Sequence, residues 1–337
     1  MRILNGLALS FVFLLGFGPF VAAQPAPTRG IVNITDDLYR AQNNNHYTVF
    51  LVTPEGIIMS DPINRDFSRW LKAEFASRFK VPVRYVVYTH RDWDHASGGV
   101  VFADTAEFVG HRNMLTALAA PAGNPPMPAE GAKLDVNRNG LLERSEGAAA
   151  LGDRFGFFDF NRDDVVSSAE FVRGPIGDVH PPTITFLDRH TVTLGGKSVT
   201  SVHLGTAHAD DSAVLHFPAE RAVFSADILQ IRRLPGTLPP TVGAWIDALT
   251  TITNLDFDHA LTGHALSGTK QDALQSLAYL RDISKGVAAG VAAGHDLAQI
   301  QKTLTLDAYK GFERWDTVRE AHIAGVYATY QGSVAAE

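Results

Sequence analysis

Residues 89–99 read THRDWDHASGG and follow the apolar stretch VRYVVY of residues 83–88. The apolar stretch predicts a buried strand, so the polar residues lie where that strand ends. The segment holds side chains that can bind a metal, namely His90, Asp92, Asp94 and His95. Imidazoles and carboxylates crowded together lose hydration or repel each other unless a cation lies between them. Carboxylate and neutral imidazole are good ligands for zinc, iron or manganese, so the stretch predicts a divalent metal site.

Three later segments offer further metal ligands beside predicted strands. TAH at residues 206–208 precedes an apolar strand, SAD at 225–227 ends another, and TGH at 262–264 follows a third. The ligands that they add are His208, Asp227 and His264. A solvated polar turn together with ordinary core histidines is the alternative interpretation. The recurrence of ligand residues beside several strands argues against it.

In order along the chain, these segments resemble the metal motifs of the metallo-β-lactamase superfamily. The family pattern H-x-H-x-D-H appears here as H-x-D-x-D-H, with Asp92 in the place of the usual second histidine. The resemblance covers roughly residues 33–267 and implies an α/β fold, a four-layer αββα sandwich. It also implies a dinuclear centre, with one metal on His90, Asp92 and His208, the other on Asp94, His95 and His264, and Asp227 as the bridge.

Two cations in such a centre can share a hydroxide and bring its pKa towards neutrality. The resemblance implies that this metal-bridging hydroxide attacks the substrate, and that Asp94 orients it or accepts its proton. No serine or cysteine nucleophile is then needed. Zinc is the expected metal. Iron and manganese are the alternatives, because the carboxylate of Asp92 is harder and more anionic than imidazole.

We therefore expect an exported dinuclear-metal hydrolase that attacks an ester, lactone or amide bond, β-lactams included. A phospho- or sulfo-ester hydrolase is an alternative that needs a cationic side chain near the metals, for which Arg91, Arg232 and Arg233 are candidates. An iron-dependent oxidoreductase is a second alternative. A calcium-dependent binding protein on a degenerate hydrolase scaffold is a third, and the retention of all the expected metal ligands argues against it.

Residues 135–146 match the calcium-binding loop of an EF-hand. Gly140 permits the sharp turn at loop position 6, and the predicted ligands are Asp135, Asn137, Asn139, the carbonyl of Leu141 and Glu146. A second copy begins 24 residues later, and its ligands are Asp159, Asn161, Asp163, the carbonyl of Val165 and Glu170. There Asp164 stands at position 6 and has to adopt a left-handed turn. Leu142 and Val166 are expected to pair between the loops.

The two loops predict a helical EF-hand calcium-binding pair inserted between the halves of the fold, near the rim of the cleft. Solvated acidic turns are the alternative interpretation. If calcium binds, we expect it either to order the insertion and gate substrate access or to act as a plain structural clip.

Composition limits the remaining possibilities. The 337 residues are 45% hydrophobic and 19% charged, which is typical of a globular protein with a large core. A net charge of -7 argues against nucleic-acid and anionic-membrane partners. The family resemblance implies a small-molecule substrate. Cysteine is absent, so disulfides and thiolate ligands are excluded. The oligomeric state is left open.

The N-terminus has the pattern of a signal peptide. Arg2 is followed by a nearly continuous apolar run at residues 3–21 and by the small residues VAA at 21–23. We expect cleavage there, a periplasmic or secreted protein and no stable membrane insertion, with an uncleaved anchor as the alternative. The predicted organisation is a signal peptide (1–23), the first half of the fold (24–118), a linker with the calcium loops (119–175), the second half (176–268) and C-terminal helices (269–337).

Periodicity supplies the framework around these motifs. Residues 31–42 and 47–53 predict strands of a meander. An amphipathic helix is predicted over residues 67–80. Further helices are predicted over residues 242–255, 269–285, 296–303 and 315–331. The C-terminal helices are expected to cover a sheet, to build a wall of the cleft or to mediate dimerisation.

Several polar positions near the motifs have two interpretations each. Asp61 either supports the metal loop or caps the helix that follows it. The polar hairpin tip at residues 43–46 either lines the cleft or is an ordinary turn. His111 lies at the start of a predicted helix, either on the surface or beside the metal ligands.

Overall fold

The computed structural model describes residues 26–119, 121, 123–236, 238 and 242–334. The predicted signal peptide, residues 1–23, lies outside the described residues and stays a prediction. Within the described ranges, no helix combines the length and the apolar character needed to cross a membrane.

Strands and helices alternate along the chain. The strands are β1 (Arg29–Thr35), β2 (Leu38–Asn43), β3 (His46–Thr53), β4 (Gly56–Met59), β5 (Val83–Val87), β6 (Glu107–His111), β7 (Leu141–Glu143), β8 (Val165–Ser167), β9 (Ile184–Phe186), β10 (Arg189–Leu194), β11 (Lys197–His203), β12 (Ala213–Phe217), β13 (Ala222–Phe224), β14 (His259–Leu261) and β15 (Gly268–Thr269). The helices are α1 (Arg65–Arg78), α2 (Trp93–Ala96), α3 (Arg112–Leu118), α4 (Ala129–Ala132), α5 (Arg144–Leu151), α6 (Phe155–Phe158), α7 (Ser168–Arg173), α8 (Val242–Asn254), α9 (Lys270–Ala292), α10 (Leu297–Thr303) and α11 (Trp315–Val334). Short 3-10 turns lie at Gly99–Phe102, Gly152–Arg154 and Asp307–Tyr309.

Two mixed sheets form the centre of the fold. The first has the order β1-β2-β3-β4-β5-β6-β9, and the second has the order β10-β11-β12-β13-β14-β15. Their facing surfaces share one apolar core, in which Leu51 and Val87 of the first sheet lie with Leu215 and Phe224 of the second. Complete burial of each such side chain contributes about 1.5–3 kcal/mol.

Helices cover the outer face of each sheet. On the first sheet, α1 buries Phe67, Leu71 and Phe75, which recur at helical spacing as the sequence predicts. On the second sheet, α8, α9 and α11 share a core that includes Trp245 and Leu280. The predicted four-layer αββα sandwich is therefore confirmed, and the C-terminal helices form its last layer.

One strand prediction needs correction. Residues 31–42 form two antiparallel strands, β1 and β2, rather than one. The chain reverses at Asp36, whose φ is +43°. Aspartate tolerates this left-handed conformation better than most residues, because its short side chain can hydrogen-bond locally. The strand-like apolar alternation on either side of the turn hides it in the sequence.

A small separate sheet joins β7 and β8 in antiparallel pairing. Leu142 pairs with Val166, which confirms the contact that the sequence predicts between the two loops. These two side chains form a local core with Phe155 and Phe158 of α6. The boundaries predicted for this insertion remain a prediction.

His322 of α11 is buried in the layer of C-terminal helices. Its Nε2 lies 3.0 Å from the main-chain oxygen of Pro235, and its Nδ1 lies 2.8 Å from the hydroxyl of Tyr279. A carbonyl can only accept, so Nε2 donates to Pro235 and a neutral ring accepts the tyrosine proton at Nδ1. Burial lowers the pKa of His322 to about 4, although the Pro235 carbonyl opposes this shift.

We therefore expect acid to destabilise the fold through His322. Its pKa falls from 6.5 to about 4 on folding, so the unfolded state binds more protons between these values. The shift corresponds to about 3 kcal/mol of stability, present above pH 6.5 and lost as the pH falls towards 4. Urea unfolding of the wild type and of His322→Gln from neutral to acid pH measures this effect. The variant should lose less stability over that range, and an equal loss in both proteins would contradict the assignment.

Candidate metal centre

The predicted metal ligands lie at the ends of strands that face one edge of the sandwich. The segment from His90 to His95 follows β5, and Asp227 and His264 follow β13 and β14. Because β13 and β14 are parallel, their carboxyl ends lie side by side. His208 arrives from the turn before β12. The fold thus brings together all seven side chains that the sequence singles out for the dinuclear centre.

Asp227 faces ligands on two sides. Its Oδ2 lies 3.3 Å from Nε2 of His90 and 3.2 Å from Nε2 of His208. Its Oδ1 lies 3.3 Å from Nε2 of His95 and 3.0 Å from Nε2 of His264. A carboxylate in this position can give one oxygen to each of two cations, which is the bridging role that the family resemblance implies.

Asp92 belongs to the first side of the cluster. Its Oδ2 lies 3.1 Å from Nε2 of His208 and 3.6 Å from Nε2 of His90. The donor atoms of these three residues and Asp227 all lie within 4.8 Å of one another. The carboxylate therefore occupies the position that the family motif gives to a histidine.

Asp94 belongs to the second side. Its Oδ2 lies 3.5 Å from Nε2 of His264 and 3.8 Å from Nε2 of His95. The catalytic role predicted for Asp94 requires access to substrate, and the side chain lines an open cleft.

Three buried polar atoms of the cluster residues have no hydrogen-bond partner among the described residues, namely Nε2 of His90, Nδ1 of His95 and Oδ1 of Asp227. A buried polar group without a partner costs about 1–3 kcal/mol. A cation bound between the imidazoles and carboxylates would satisfy Nε2 of His90 and Oδ1 of Asp227. The donor set therefore fits divalent transition metals.

The pKa shifts within the cluster also indicate a site for a positive ion. Burial alone lowers the pKa of His208, but Asp227 and Asp92 raise it to about 9. Burial alone raises the pKa of Asp227, but the surrounding imidazoles, led by His95, hold it well below its usual range. Protons and divalent cations are therefore expected to compete for these side chains.

Asp61 orients His90 through Thr89. Its carboxylate accepts from the main-chain nitrogen of Thr89 at 2.8 Å and from the hydroxyl at 2.7 Å. The hydroxyl oxygen lies 3.0 Å from Nδ1 of His90, so it accepts that ring proton and leaves Nε2 free as a ligand. The cap of α1 is Asn64, which accepts from the nitrogen of Phe67. Of the two interpretations of Asp61, support of the metal loop is therefore correct.

His46 is a member of the site that the ligand prediction omits. It begins β3 at the hairpin tip, and its Nε2 lies 3.2 Å from Oδ2 of Asp94. Its ring packs edge-on against His264, with centroids 4.6 Å apart. The hairpin tip therefore lines the cleft. Its only signal in the sequence is a histidine in an otherwise ordinary polar turn.

His111 and His203 form a separate pair. Their rings stack with centroids 3.9 Å apart and an interplanar angle of 13°. Nδ1 of His111 accepts from the nitrogen of Asn113 at the start of α3, and Nε2 of His203 donates to the main-chain oxygen of Asp210. These contacts give both residues a packing role.

Gly263 lets the strand that carries His264 approach its neighbours closely. A Cβ atom at this position would lie 2.8 Å from Cε1 of His95 and 2.9 Å from Cα of Ala226. Both distances are shorter than real contacts of a Cβ allow. The TGH segment therefore needs glycine at position 263, because a side chain there would collide with the predicted metal ligand His95.

A cleft of about 620 Å³ opens over the cluster. Trp93, Trp245 and Pro235 give it apolar walls. The metal-ligand side is formed by Asp94, His208, Asp227 and His264. An apolar cleft with a few polar groups at one end is the usual form of a small-molecule site.

Two arginines line the same cleft. Arg233 is 8% exposed, and its Nε pairs with Oε1 of Glu313 at 3.3 Å. Its Nη1 donates to Gln230, whose amide donates to the main-chain oxygen of Asp227. Arg314 enters from the turn before α11 with φ +69°, a left-handed conformation that costs about 1–2 kcal/mol. In the part of the chain that the structure describes, its guanidinium has no hydrogen-bond or ion-pair partner. Burial and the nearby Arg233 lower the pKa of Arg314, as expected when two cations share a site.

The arginines proposed from the sequence divide between the cleft and the surface. Arg91 pairs with Asp210 and with Asp211, so it is held by acidic neighbours. Arg232 is exposed and lies 3.5 Å from Asp272. Of the three candidates only Arg233 reaches the cleft.

The first predicted calcium loop is closed by hydrogen bonds to its acidic ends. Oε1 of Glu146 accepts from the main-chain nitrogens of Val136 at 3.1 Å and Asn137 at 3.0 Å. The carboxylate of Asp135 accepts from the nitrogen of Gly140 at 2.8 Å. Gly140 has φ +82°, the left-handed turn expected at position 6.

The second loop repeats these bonds at the same loop positions. Oε1 of Glu170 accepts from the nitrogen of Phe160 at 3.0 Å, and the carboxylate of Asp159 accepts from Asp164 at 3.0 Å. Asp164 has φ +66°, so it adopts the left-handed conformation predicted for it. Two different sequences thus fold into matching loops, side by side through β7 and β8.

One aromatic contact links this region to the metal loop. The ring of Phe157 in α6, between the two loops, lies 5.0 Å from the ring of Trp93. The main-chain oxygen of Phe157 accepts from the nitrogen of Gly177 at 2.8 Å, which fixes the backbone beneath the ring. Trp93 is flanked by the predicted ligands Asp92 and Asp94 and lines the cleft.

Comparison with known proteins places this geometry in context. A linear primary-alkylsulfatase of Pseudomonas sp. (strain ATCC 19151) is 27% identical over 210 residues, which are 60% of this chain and 37% of that protein. The stereoselective inverting sec-alkylsulfatase Pisa1 from Pseudomonas sp. superposes with a TM-score of 0.60 at 13% identity, over 90% of this chain and 50% of its own. A metallo-beta-lactamase from Pontibacter korlensis superposes with a TM-score of 0.51 at 15% identity, over 75% of this chain and 99% of its own.

The chain therefore spans half or less of the length of the two alkylsulfatases. At such low identity the solved structures establish the fold alone. Residues 65–264, more than half of the chain, match the family model of the metallo-beta-lactamase superfamily, and this span contains every residue predicted for the dinuclear centre. On that match, the chain belongs to the metallo-β-lactamase superfamily.

Proposed function

We propose that the protein hydrolyses sulfate monoesters of small apolar alcohols with the help of two divalent cations. The observation that carries the proposal is the pair Arg233 and Arg314 in the wall of the cleft beside the metal-ligand cluster. Guanidinium groups bind the oxygens of such anions strongly. A neutral ester or lactone, which the sequence favours, has no anion to offer them. The side chains of Trp93 and Trp245, which line the cleft, suit an alkyl group.

The cations would be held by the two sides of the cluster. His90, Asp92 and His208 would bind one, Asp94, His95 and His264 would bind the other, and Asp227 would serve both. Cations bound there supply an activated water and Lewis-acid stabilisation of the departing charge. We propose zinc first, because imidazole is the commonest donor in the cluster. The carboxylate of Asp92 makes iron and manganese the other outcomes to be separated by metal analysis.

The residues of the cleft bind the substrate, accept a proton and exclude water. Arg233 and Arg314 bind the sulfate oxygens and offset their charge. Asp94 accepts the proton of the attacking water. The apolar walls exclude bulk water from the alkyl side, which strengthens the electrostatic interactions at the other end. Ester and water together give the alcohol and hydrogensulfate.

The names of two similar proteins support this substrate class. One is a primary-alkylsulfatase and the other a sec-alkylsulfatase. Because this chain spans half or less of each, the proposal rests on the arginines of its own cleft, and the names are in accord with it.

The test is the response of Arg314→Gln to substrate charge. Loss of one charged hydrogen bond is expected to cost about 1.5–3 kcal/mol, or roughly 10–100-fold in affinity. Zinc-loaded variant protein should therefore show a KM for an alkyl sulfate raised by about tenfold or more, with a smaller change in kcat. Steady-state kinetics with alkyl sulfates, carboxylic esters and nitrocefin measure this preference.

Arg232→Gln is the matched control, because this neighbouring arginine is exposed and lies outside the cleft lining. Its KM should equal that of the wild type. Faster turnover of carboxylic esters or nitrocefin than of alkyl sulfates, with an unchanged KM in Arg314→Gln, would overturn the sulfate assignment.

We also propose that the loops at residues 135–146 and 159–170 bind one calcium ion each. Their repeated hydrogen bonds and matching left-handed residues support the proposal. The loop acids would turn their oxygens from main-chain nitrogens to the ion.

A further inference from the structure

His46 lies against the second side of the metal-ligand cluster. Its Nε2, Oδ2 of Asp94 and Nε2 of His264 form a group whose donor atoms all lie within 4.8 Å of one another. His264 also belongs to the neighbouring group with His95 and Asp227. The second side of the cluster thus has one more imidazole than the ligand set derived from the motifs.

The hairpin tip that carries His46 is fastened to the segment of His264. The main-chain nitrogen of Tyr47 donates to the oxygen of Gly263 at 2.9 Å. The buried Arg40 of β2 donates to the main-chain oxygen of Ala265 at 2.6 Å. These bonds join the first sheet to the second on both sides of His264. The backbone of His46 is therefore held close to the cluster by hydrogen bonds between the two sheets.

Arg40 strengthens this connection in a second way. Its guanidinium also donates to the main-chain oxygen of Thr262 at 2.9 Å and lies 3.6 Å over the ring of Tyr47. Burial lowers the pKa of Arg40 to about 10, so the side chain stays charged at neutral pH. A charged group is buried here at an energetic cost, and its partners are the two segments that carry His46 and His264.

We propose that His46 is a ligand of the second cation, together with Asp94 and His264. This inference rests on the dinuclear centre of the proposed function. His46 precedes residue 65, where the family match begins, so the matched span does not include it. The chemistry is consistent with the unusual Asp92. That carboxylate makes the centre more anionic, and an added imidazole supplies a donor without adding charge.

The test counts metal-bound imidazoles in the cobalt(II)-loaded protein. A histidine bound through Nε2 keeps an exchangeable proton on Nδ1, and its NMR signal is shifted far from the usual range by cobalt. We expect shifted signals from His46, His90, His95, His208 and His264 in the wild type, and loss of the His46 signal in His46→Gln. Calorimetric titration should show that the variant binds its weaker cation about 10–100-fold less tightly.

Asn45→Ala is the matched control, because Asn45 is the neighbouring residue of the same hairpin tip and lines the cleft but has no imidazole to contribute. It should keep every shifted signal and both affinities. Four shifted imidazole signals in the wild type, or unchanged cobalt binding in His46→Gln, would overturn the inference. If the wild type binds fewer than two cobalt ions, the dinuclear centre itself fails. Two bound ions without alkyl sulfate turnover would reject only the proposed substrate.

Discussion

Asp227→Ala is expected to bind at most one cation and to lose turnover. Asp227 is the residue whose two oxygens face the two sides of the cluster, at 3.2 Å from His208 and 3.0 Å from His264. Its removal takes a donor from both cations at once and leaves their positive charges without the shared carboxylate. A loss of several kcal/mol of metal-assisted stabilisation corresponds to roughly a 10³-fold or larger fall in kcat.

Metal analysis after gel filtration and steady-state kinetics measure this prediction on the same sample. Asp227→Asn serves as a second variant, because it keeps the size and shape of the side chain and removes the charge. It should resemble Asp227→Ala in metal content while keeping the wild-type fold. Asp258→Asn is the surface control, since that carboxylate pairs with Arg221 and should leave both quantities unchanged. Retention of two metals and of activity in Asp227→Ala would mean that the site is wrongly assigned.

Calcium is expected to raise the melting temperature and to lower the KM for substrate. Both effects should require calcium binding to the two predicted loops. At a concentration 100 times Kd, each bound ion adds about 2.7 kcal/mol of stability. The KM effect is expected because Phe157, between the loops, contacts Trp93 in the wall of the cleft at 5.0 Å. Protein stripped of metals and then reloaded with zinc, with and without calcium, allows both measurements.

The variants separate binding from coupling. Glu146→Gln combined with Glu170→Gln removes the position-12 carboxylates and should abolish both responses. Phe157→Leu should keep the rise in melting temperature and lose the effect on KM. Phe160→Leu is its control, because Phe160 is 49% exposed and stacks on Arg173 instead. A rise in melting temperature with an unchanged KM in the wild type would show a plain structural clip. No change in either quantity would reject calcium binding.

Much of the site could be predicted because each ligand sits in a local pattern. His90, Asp94 and His95 follow an apolar strand in a recognisable order, and Asp227 and His264 do the same after β13 and β14. Such patterns depend only on the residue's own strand and the turn after it. The same holds for α1, whose buried aromatics recur at helical spacing.

Other features were beyond the reach of local patterns. The chain reverses at Asp36 inside a stretch whose apolar and polar residues alternate as in a single strand. The sequence pattern therefore predicts one strand where the structure has β1 and β2. Asp61 had two equal interpretations until its bonds to Thr89 decided between them. Arg91 and Arg232 are the same residue type as Arg233, but the fold places them outside the lining of the cleft, beside Asp210 and Asp272.

Residue type, order and periodicity are sufficient to predict the family, the layered architecture and the residues around Asp227. The positions of His46 beside that cluster and of Arg314 in its cleft become visible only in the folded chain. Both come from outside the motif-bearing span, one from a hairpin tip before it and the other from a turn after it. The cleft forms where two stacked sheets and the C-terminal helices meet. Their arrangement depends on packing between residues far apart in sequence, which no local pattern encodes.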